Sequence, residues 1–490
     1  MKKDNPHKKL IFGSKIKHYR LENNLSFKEM AAKTGMSVSY LNEIEKGKKY
    51  PRAEKIAILA HILEVSVEEL KSTELTGKLA PLGDLLHSNF LKDLPLELFG
   101  IDMSKIVDII ASSPLRVGAF VSTLVEMSRN YAVEKEHFYL QALRAYQEMN
   151  FSYLEDIEDA ADEFLKKYNI QGGKPVDTYV LKSILEEDYG IKINYNGIDS
   201  NSQLGFIRTI THLDKKELLL NSRLNEMQIR FHLAKEIGFQ FLNCEERPLT
   251  SSLIKIKSFE QVLNNFRAGY FAVAILVQRN AFIEDCKAIF KNKTWHPNII
   301  LDLVNKYKVS SSTVFQRFNV LPKYFGLSKL FFIGFNFDIE SESIKIDKEL
   351  HLFRQHKPHA NRLNEHYCRR WPSIKALKNM KDDQQSTVVH VQKSKYHGDG
   401  HQYLEFSITR PSFMYKNKLT STTMGILIDE NAKNTIGFIN DPDIKECCVN
   451  VTCQRCEMKD CNERAYPPVI IEKRNKRKTI TQALDVLLEQ

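Results

Sequence analysis

The chain has 490 residues, of which 42% are hydrophobic, and a formal net charge of +10. This length suits about three or four domains of roughly 100 to 200 residues each, and the hydrophobic content excludes a disordered polypeptide. The N-terminus lacks the apolar stretch of a signal peptide, and no apolar run reaches the roughly 18 residues of a membrane span. The sequence therefore predicts a cytoplasmic protein with no membrane partner, in which eight cysteines are not expected to form a disulfide framework.

The positive charge is concentrated at the N-terminus. Residues 1–71 contain 15 Lys and Arg against 9 Asp and Glu, so they carry +6 of the total. The rest of the chain is close to balanced. Affinity for the phosphates of nucleic acid is expected in the first domain and not over the whole surface.

The segment Ser26–Gly47 predicts two short helices joined by a tight turn. Its first serine and Ser37 are suited to cap the two helices, and Gly35 suits the positive φ of the turn. Leu41 and Ile44 fall on the buried side of the second helix, which leaves other side chains to meet base edges in a major groove. The predicted DNA contacts are Phe27, Lys28, Val38, Ser39, Tyr40, Asn42, Lys46 and Lys48.

Across residues 11–71 this pattern resembles the Cro/C1-type (XRE) helix-turn-helix family. A helix predicted over residues 14–23 and apolar positions at Ile56, Leu59 and Leu63 complete a small bundle. The resemblance implies an all-α domain that binds a double-stranded DNA operator.

Residues 76–165 are predicted to form a helical connector or dimerisation segment. Helical periodicity is present over residues 103–111, 117–127 and 137–167. The segment Arg144–Ala161 resembles a stretch found between the DNA-binding and sensor domains of the short-chain fatty acyl-CoA regulators, the RamB and PrpR type.

Two strands followed by a helix are predicted next. The strands cover residues 205–209 and 217–221, and the helix begins near Asn225. This order resembles the ImmA/IrrE-type zinc peptidases, in which the helix carries His-Glu-x-x-His. Two histidines one turn apart bind zinc there, and the glutamate acts as a general base.

The zinc ligands are absent from this chain. Lys235 and Phe239 stand at the two histidine positions, Arg267 stands at the position of the third ligand, and only Glu236 is retained. An ammonium, a phenyl ring and a guanidinium cannot together bind zinc at neutral pH. The sequence therefore predicts a degenerate peptidase domain with no catalytic residues, and a protein that is not an enzyme.

The replacements suggest a ligand site. Lys235 and Arg267 suit an anion, and Phe239 and Tyr270 suit an apolar portion, a combination that acyl-CoA offers. The family resemblance implies a short-chain acyl-CoA effector. The alternative is that Lys235 reaches solvent and Arg267 pairs with Glu236, leaving a structural relic.

Three cysteines near the C-terminus have the spacing of a metal centre. Cys453, Cys456 and Cys461 form C-x2-C-x4-C, which lets three thiolates converge. Cys447 and Cys448 are nearby candidates for the fourth ligand. Cys368 is preferred, because its segment resembles the Cys-x-x-Trp element that accompanies the triple-cysteine motif in the acyl-CoA regulators. That resemblance implies a 4Fe-4S cluster, while structural zinc and reduced thiols remain alternatives.

Three minor expectations follow from local pattern. Cys244 and Cys286 lie in apolar surroundings and are predicted in the core. The segment His397–His401 lies between two alternating stretches and predicts a hairpin turn, with its histidines exposed.

The predicted fold class is a mainly helical, α+β multidomain protein. Its domains are a DNA-binding domain (1–75), a connector (76–165), a degenerate peptidase-like sensor (166–335), an acyl-CoA-regulator-like domain with the cysteine cluster (336–470) and a basic tail helix (471–490). The predicted function is that of a homodimeric transcription factor controlled by acyl-CoA or the cluster. Two alternatives are a repressor-cleaving metallopeptidase of the ImmA type and a phage-like or antitoxin DNA-binding protein without a small ligand.

Overall fold

The computed structural model combines an N-terminal helical bundle with α+β regions downstream, as predicted. It describes residues 6–73, 135–199, 201–254, 256–351, 365–381, 387–398, 400–415 and 417–488. The chain divides into two compact units, residues 1–142 with 257–259 and residues 143–256 with 260–490. The helices predicted over 103–111 and 117–127 lie outside the described residues.

The first unit contains a bundle of short helices around one core. The helices are α1 (Pro6–Glu22), α2 (Phe27–Thr34), α3 (Val38–Glu45), α4 (Ala53–Ile62) and α5 (Val67–Lys71). Phe12, Leu41 and Leu59 are completely or almost completely buried in this core. Helix α1 begins earlier than the predicted residue 14, at a proline, which suits a first helical turn because it needs no N–H partner there.

The predicted turn between α2 and α3 is confirmed. The Ser26 hydroxyl accepts the Glu29 N–H while the Glu29 carboxylate accepts the Ser26 N–H, which completes a capping box. Ser37 caps α3 by accepting the Tyr40 N–H. Gly35 has a φ of 70°, a value that glycine adopts without a steric penalty.

From residue 135 the chain continues with further helices and a small three-stranded sheet. The helices are α6 (Lys135–Met149), α7 (Glu155–Lys167), α8 (Thr178–Ser183), α9 (Glu226–Phe241), α10 (Phe259–Leu276), α11 (Arg279–Lys291), α12 (Asn298–Tyr307), α13 (Ser311–Arg317) and α14 (Leu321–Phe325). The strands are β1 (Lys192–Asn194), β2 (Thr209–His212) and β3 (Glu217–Leu220). β3 lies in the middle, parallel to β1 and antiparallel to β2.

The second predicted strand of this region is confirmed, and the first is displaced along the chain. It was expected over 205–209, but β2 begins at Thr209. The preceding residues form a loop because the Asn221 side-chain amide donates to the carbonyls of Gly205 and Ile207. Helix α9 begins as predicted, with Asn225 as its N-cap.

Helix α7 belongs to the core of the second unit. Its apolar residues Ile157, Ala161 and Phe164 are almost completely buried in the same cluster as Phe271 of α10. The division between the units falls at residues 142 and 143, so α7, assigned to the connector from sequence, packs with the peptidase-like region. The reason is its apolar stripe, which is buried by helices far away in sequence.

The C-terminal half is built on a six-stranded sheet. Its strands are β4 (Leu330–Asp338), β5 (Ile344–His351), β6 (Val388–Tyr396), β7 (Gln402–Pro411), β8 (Lys418–Leu427) and β9 (Glu446–Val449), in the order β5-β4-β8-β7-β6-β9. All neighbours are antiparallel except β6 and β9, which are parallel. The predicted hairpin between β6 and β7 is confirmed, with positive φ at Gly398 and Gly400.

Three further helices belong to this half. They are α15 (Pro372–Asn379), α16 (Glu430–Thr435) and α17 (Val469–Leu488). Helix α15 packs on β6, β7 and β8. Helix α17 corresponds to the predicted basic tail helix, and Ile471 is its buried residue. In the part of the chain that the structure describes, no helix is long and apolar enough to cross a membrane.

Candidate functional site

The predicted DNA contacts are mostly accessible and cluster on and around α3. Val38, Ser39, Lys28, Lys46 and Lys48 are exposed, while Tyr40 and Asn42 are half-buried. Lysines flank the Tyr40 ring, with the Lys55 ammonium 4.2 Å and the Lys49 ammonium 5.7 Å from its centroid. Lys49 is also paired with Glu43 of α3 at 2.8 Å, so Lys55 and the exposed Lys28, Lys46 and Lys48 supply the positive charge that duplex phosphates attract.

A buried ion pair fixes α3 to α1. The Arg20 guanidinium donates to both carboxylate oxygens of Glu45, at 2.6 and 3.0 Å, and also to the Leu25 carbonyl. The same guanidinium lies 4.2 Å from the centroid of the Phe27 ring. Phe27, predicted as a DNA contact, is therefore half-buried and packed against Arg20.

The peptidase-like site is built around Glu236 on α9. Its carboxylate is buried and accepts from Nη1 and Nη2 of Arg247 at 2.6 and 2.5 Å. Thr211 of β2 and Gln240, one turn along α9, each donate to it at 3.1 Å. The carboxylate that would act as a general base in a zinc peptidase is thus held by three side chains.

Arg247 also lies against the second lost ligand position. Its guanidinium is 3.8 Å from the centroid of the Phe239 ring and donates to the Thr211 hydroxyl at 2.9 Å. A fixed side-chain cation therefore lies between the retained glutamate and the ring that replaced a zinc ligand. Arg247 follows α9 in a loop, and nothing in the local sequence marks it as the partner of Glu236.

The predicted ligand contacts on α9 and α10 each have a protein partner. The Lys235 ammonium donates to Asn265 at 2.6 Å. Arg267 pairs with Asp156 of α7 at 3.0 Å, and not with Glu236 as the alternative interpretation supposed. An anion bound by either cation would have to displace or share these partners.

Tyr270, the fourth predicted ligand contact, belongs to a buried network that the sequence did not reveal. Its hydroxyl donates to Glu158 at 2.7 Å and accepts the Leu154 N–H. Arg317, completely buried on α13, donates to both oxygens of Glu158. Burial alone would raise the pKa of Glu158, but Arg317, together with the Tyr270 hydroxyl and the Arg279 guanidinium, outweighs burial and lowers that pKa overall. The network ties α7, α10 and α13 together.

The structure brings Cys368 and Cys453 to one face of a short antiparallel bridge. Tyr367 pairs with Thr452, the Cys368 N–H donates to the Val451 carbonyl, and the Cys453 N–H donates to the His366 carbonyl. Because side chains alternate along extended backbone, the residue after each bridge partner lies on the same face. Both thiols are buried.

Cys456 lies close to this pair. Its N–H donates to the Cys453 carbonyl, so the C-x2-C segment closes a turn. Burial raises the pKa of Cys368 to about 12, and the thiols of Cys453 and Cys456 add to the rise. Backbone N–H groups oppose it at Cys368, and the Ala465 N–H donates to the Cys453 sulfur at 3.5 Å. N–H groups aimed at sulfur are typical of thiolate-bound metal sites, but without a metal burial keeps the Cys368 thiol neutral.

Cys461 is less buried than Cys368, Cys453 and Cys456. It is half-buried and follows the turn, and its carbonyl accepts the Arg464 N–H. Arg464 organises the segment by donating to the carbonyls of Cys453, Cys456 and Met458. Within the described residues, no three His, Cys, Asp or Glu side chains are grouped closely enough to hold a metal ion. The four-cysteine centre stays a prediction.

The two isolated cysteines differ. Cys286 is completely buried, as predicted, and burial raises the pKa of its thiol. Cys244 is only half-buried, so its assignment to the core is wrong. It lies just after the end of α9, where the chain leaves the apolar interior.

Comparison with known proteins identifies the N-terminal domain. The helix-turn-helix family model matches residues 16–70. The ImmF control region 10 kDa protein of Bacillus phage phi105 is 38% identical over 63 residues, which are 13% of this chain and 70% of the phage protein. The chain belongs to the XRE-type helix-turn-helix family. It is a DNA-binding regulator of that type.

A second match covers the peptidase-like region of this helix-turn-helix protein. The model of the IrrE N-terminal-like domain, a peptidase family, matches residues 186–319, which include Glu236 and Arg247. Among solved structures, a Mycobacterium tuberculosis transcriptional regulator is similar with a TM-score of 0.47 and 18% identity, over 67% of this chain and 94% of the other.

Proposed function

We propose that this helix-turn-helix protein is a ligand-controlled transcription factor in which the peptidase-like domain has become a non-catalytic sensor. The observation that carries the proposal is that Arg247 binds both carboxylate oxygens of Glu236, in a chain whose first unit carries an accessible DNA-binding helix. A carboxylate fixed by a guanidinium is a poor general base, since the cation occupies both of its oxygens.

The N-terminal DNA-binding domain would act as part of a homodimer. Two copies of α3 entering successive major grooves match a two-fold operator, with half-sites about one helical turn apart. The effector would shift the spacing or orientation of the two readers, and so change operator affinity through a population shift.

The effector we propose is a short-chain acyl-CoA. Support comes from the sequence resemblance and from the cations at Lys235 and Arg267. In this interpretation the ligand's anionic groups would compete with Asn265 and Asp156 for those cations.

The proposed cofactor is a 4Fe-4S cluster held by Cys368, Cys453, Cys456 and Cys461, with structural zinc as the alternative. Such a cluster would supply one-electron redox chemistry, whereas zinc would only stabilise the fold. Anaerobic purification with quantification of iron, sulfide and zinc separates the two, and a Cys453→Ser variant should lose the bound metal. Metal content that is unchanged in this variant would exclude the proposed ligand set.

DNA reading is tested with duplexes selected from a random-sequence library. Asn42→Ala and Tyr40→Ala should each weaken binding to the selected duplex by about 1–3 kcal/mol if these side chains contact base edges. The exposed Lys287→Ala change on α11 is the control and should leave affinity unchanged. Equal affinity of all three variants would rule out α3 as the reading helix.

The effector is tested separately on the same complex. Addition of acetyl-, propionyl- or butyryl-CoA should change operator affinity and raise the melting temperature of the protein, because a ligand that binds the folded state stabilises it. The similarity to a phage control protein favours the second candidate, a phage-like regulator without a small ligand. That candidate predicts no response to any acyl-CoA.

A third test addresses catalysis. If the domain were a metallopeptidase, Glu236→Gln would abolish cleavage of a repressor and zinc would copurify with the wild type. We expect neither zinc at this site nor a difference in cleavage between wild type and variant.

A further inference from the structure

A small cavity lies between the six-stranded sheet and the start of α15. Its volume is about 10 Å³. The residues that line it come from β4, β6, β7, β8 and the segment around Trp371; they are Phe331, Ile333, Trp371, Ser373, Tyr396, Glu405 and Thr423. The cavity does not belong to the DNA-reading surface or to the peptidase-like site.

Two buried polar atoms at this cavity lack a hydrogen-bond partner among the described residues. They are Oε1 of Glu405 and Nε1 of Trp371, whose side chains are 2% and 5% exposed. Ser394 bonds the Glu405 carboxyl, and the Trp371 indole faces the Tyr396 hydroxyl without completing a well-formed hydrogen bond. A buried polar group without a hydrogen-bond partner destabilises the folded state, so two such groups at one cavity indicate that the cavity holds a small polar molecule.

The chemistry of the two atoms selects the guest. The indole N–H can only donate, and the carboxylate oxygen can only accept unless it is protonated. A guest must therefore accept from Trp371, and it must accept from the protonated carboxyl of Glu405 or donate to the ionised one. Water can do all of these, whereas an ammonium or metal cation cannot accept a hydrogen bond. The volume matches a single water, which needs roughly 10–15 Å³.

We propose that this cavity binds one water molecule that bridges Glu405 and Trp371, and that the Glu405 carboxyl takes up and releases a proton there as a pH-sensitive element of the C-terminal half.

The surroundings of Glu405 contain no compensating cation among the described residues that line the cavity. The titratable groups that face the site are the phenols of Tyr396 on β6 and Tyr403 on β7, with the Cys368 thiol near Tyr396. β4, β8 and the start of α15 contribute only apolar and hydroxyl side chains and the indole. Burial raises the pKa of Glu405 to about 8, and the Ser394 hydrogen bond only partly opposes this rise.

Trp371 links this proton to the rest of the domain. It is the N-cap residue of α15, and its backbone N–H donates to the Cys368 carbonyl at 3.2 Å. Ionisation of Glu405 places a negative charge beside the indole and reverses the hydrogen bond that the water makes to the carboxyl. The change in charge at Glu405 therefore reaches the loop that carries Cys368 through Trp371.

The chain offers a direct reporter, because Trp295 and Trp371 are its two tryptophans. In a Trp295→Phe background the full-length protein has Trp371 as its single indole. Its fluorescence is recorded between about pH 6 and about pH 9.5, a range that brackets the Glu405 pKa. We expect a single-proton transition near pH 8 that disappears in Glu405→Gln and persists in the control Glu446→Gln, an exposed acid on the edge strand β9.

Either of two fluorescence results would overturn the proposal: no transition in this range, or a transition that Glu405→Gln retains. Should Glu405→Gln fail to fold, infrared difference spectra of the unaltered protein give the answer. They must show the carbonyl band of a protonated carboxyl at pH 7 that is lost above the transition. A high-resolution crystal structure must show one water within hydrogen-bond distance of both atoms, and a dry cavity would contradict the bridge.

Discussion

At the residue scale, each of the two units contains a buried arginine–carboxylate pair. Arg20–Glu45 lies in the first unit and Glu236–Arg247 in the second. Taking both charges out of water costs as much as their attraction returns, but removal of one partner strands the other. These pairs are therefore weak sources of stability and strong determinants of which helices and strands pack together.

The Glu236–Arg247 pair gives the first prediction. Arg247→Leu leaves a buried, uncompensated carboxylate and should destabilise the second unit by about 3–5 kcal/mol. The double variant Glu236→Leu/Arg247→Leu should recover part of this loss, because the pair is replaced by apolar groups. Denaturant unfolding measures both, with the exposed Arg223→Leu as a control that should cost no more than about 0.5 kcal/mol. A loss for Arg247→Leu as small as that of the control would contradict the role of the pair.

Glu405 gives a prediction about pH. Burial raises its folded-state pKa to about 8, so the folded chain keeps a proton that the unfolded chain loses at lower pH. The contribution of this group to stability should therefore fall as pH rises from the ordinary carboxyl pKa to about 8, by up to about 1.4 kcal/mol per pH unit, and level off above. Glu405→Gln lacks this dependence, so its stability relative to wild type should rise with pH by on the order of a few kcal/mol. Unfolding midpoints at a series of pH values measure the difference, and a parallel pH dependence of both proteins would disprove it.

At the element scale, close approach of backbones decides where the helices lie. A Cβ on Gly13 of α1 would come 2.4 Å from the Ile44 carbonyl oxygen and 2.6 Å from that of Glu45. The glycine therefore permits the contact between α1 and the DNA-reading helix α3. No local feature of the sequence distinguishes it from a helical glycine on an open face.

This contact gives the element-scale prediction. Gly13→Ala should destabilise the first unit by on the order of 1–3 kcal/mol and weaken DNA binding, because α3 must shift. Gly269→Ala in α10 is the matched control. Its added methyl group meets no atom within 4 Å, so the change should stabilise the second unit by about 0.5–1 kcal/mol through its helix propensity. Thermal unfolding of the two variants should thus shift in opposite directions, and a shift in the same direction would refute the argument.

At the scale of the whole molecule, the N-terminal DNA-binding domain has a hydrophobic core that is separate from those of the rest of the chain. The apolar cluster around Phe12 and Leu41 contains only residues from the first unit. A fragment of residues 1–73 should therefore fold cooperatively into a helical domain and bind DNA with a steep salt dependence. Circular dichroism and titration at several salt concentrations test this. A fragment that stays unfolded would show that the reader depends on contacts beyond residue 73.

Much of the first domain could be predicted from sequence because its signals are local. Caps at Ser26 and Ser37, the turn at Gly35 and the apolar spacing of Leu41 and Ile44 each act within a few residues. The candidate sites of the second unit were harder to predict from sequence. Arg317, the partner of Glu158, is 159 residues away in sequence. The sequence around Glu405 predicts only an ordinary alternating strand and does not show that its carboxyl is buried.

By itself, the sequence determined that this chain carries a helix-turn-helix reader and a peptidase-like region without zinc ligands, because residue identity and short-range spacing are enough for both. Only the tertiary structure decided what replaced the lost chemistry. It placed Arg247 on Glu236, paired Arg267 with Asp156, and buried Glu405 at a cavity beside Trp371. These choices depend on which distant side chains share a buried space, and burial sets the energy of a charge far more than its neighbours in sequence do.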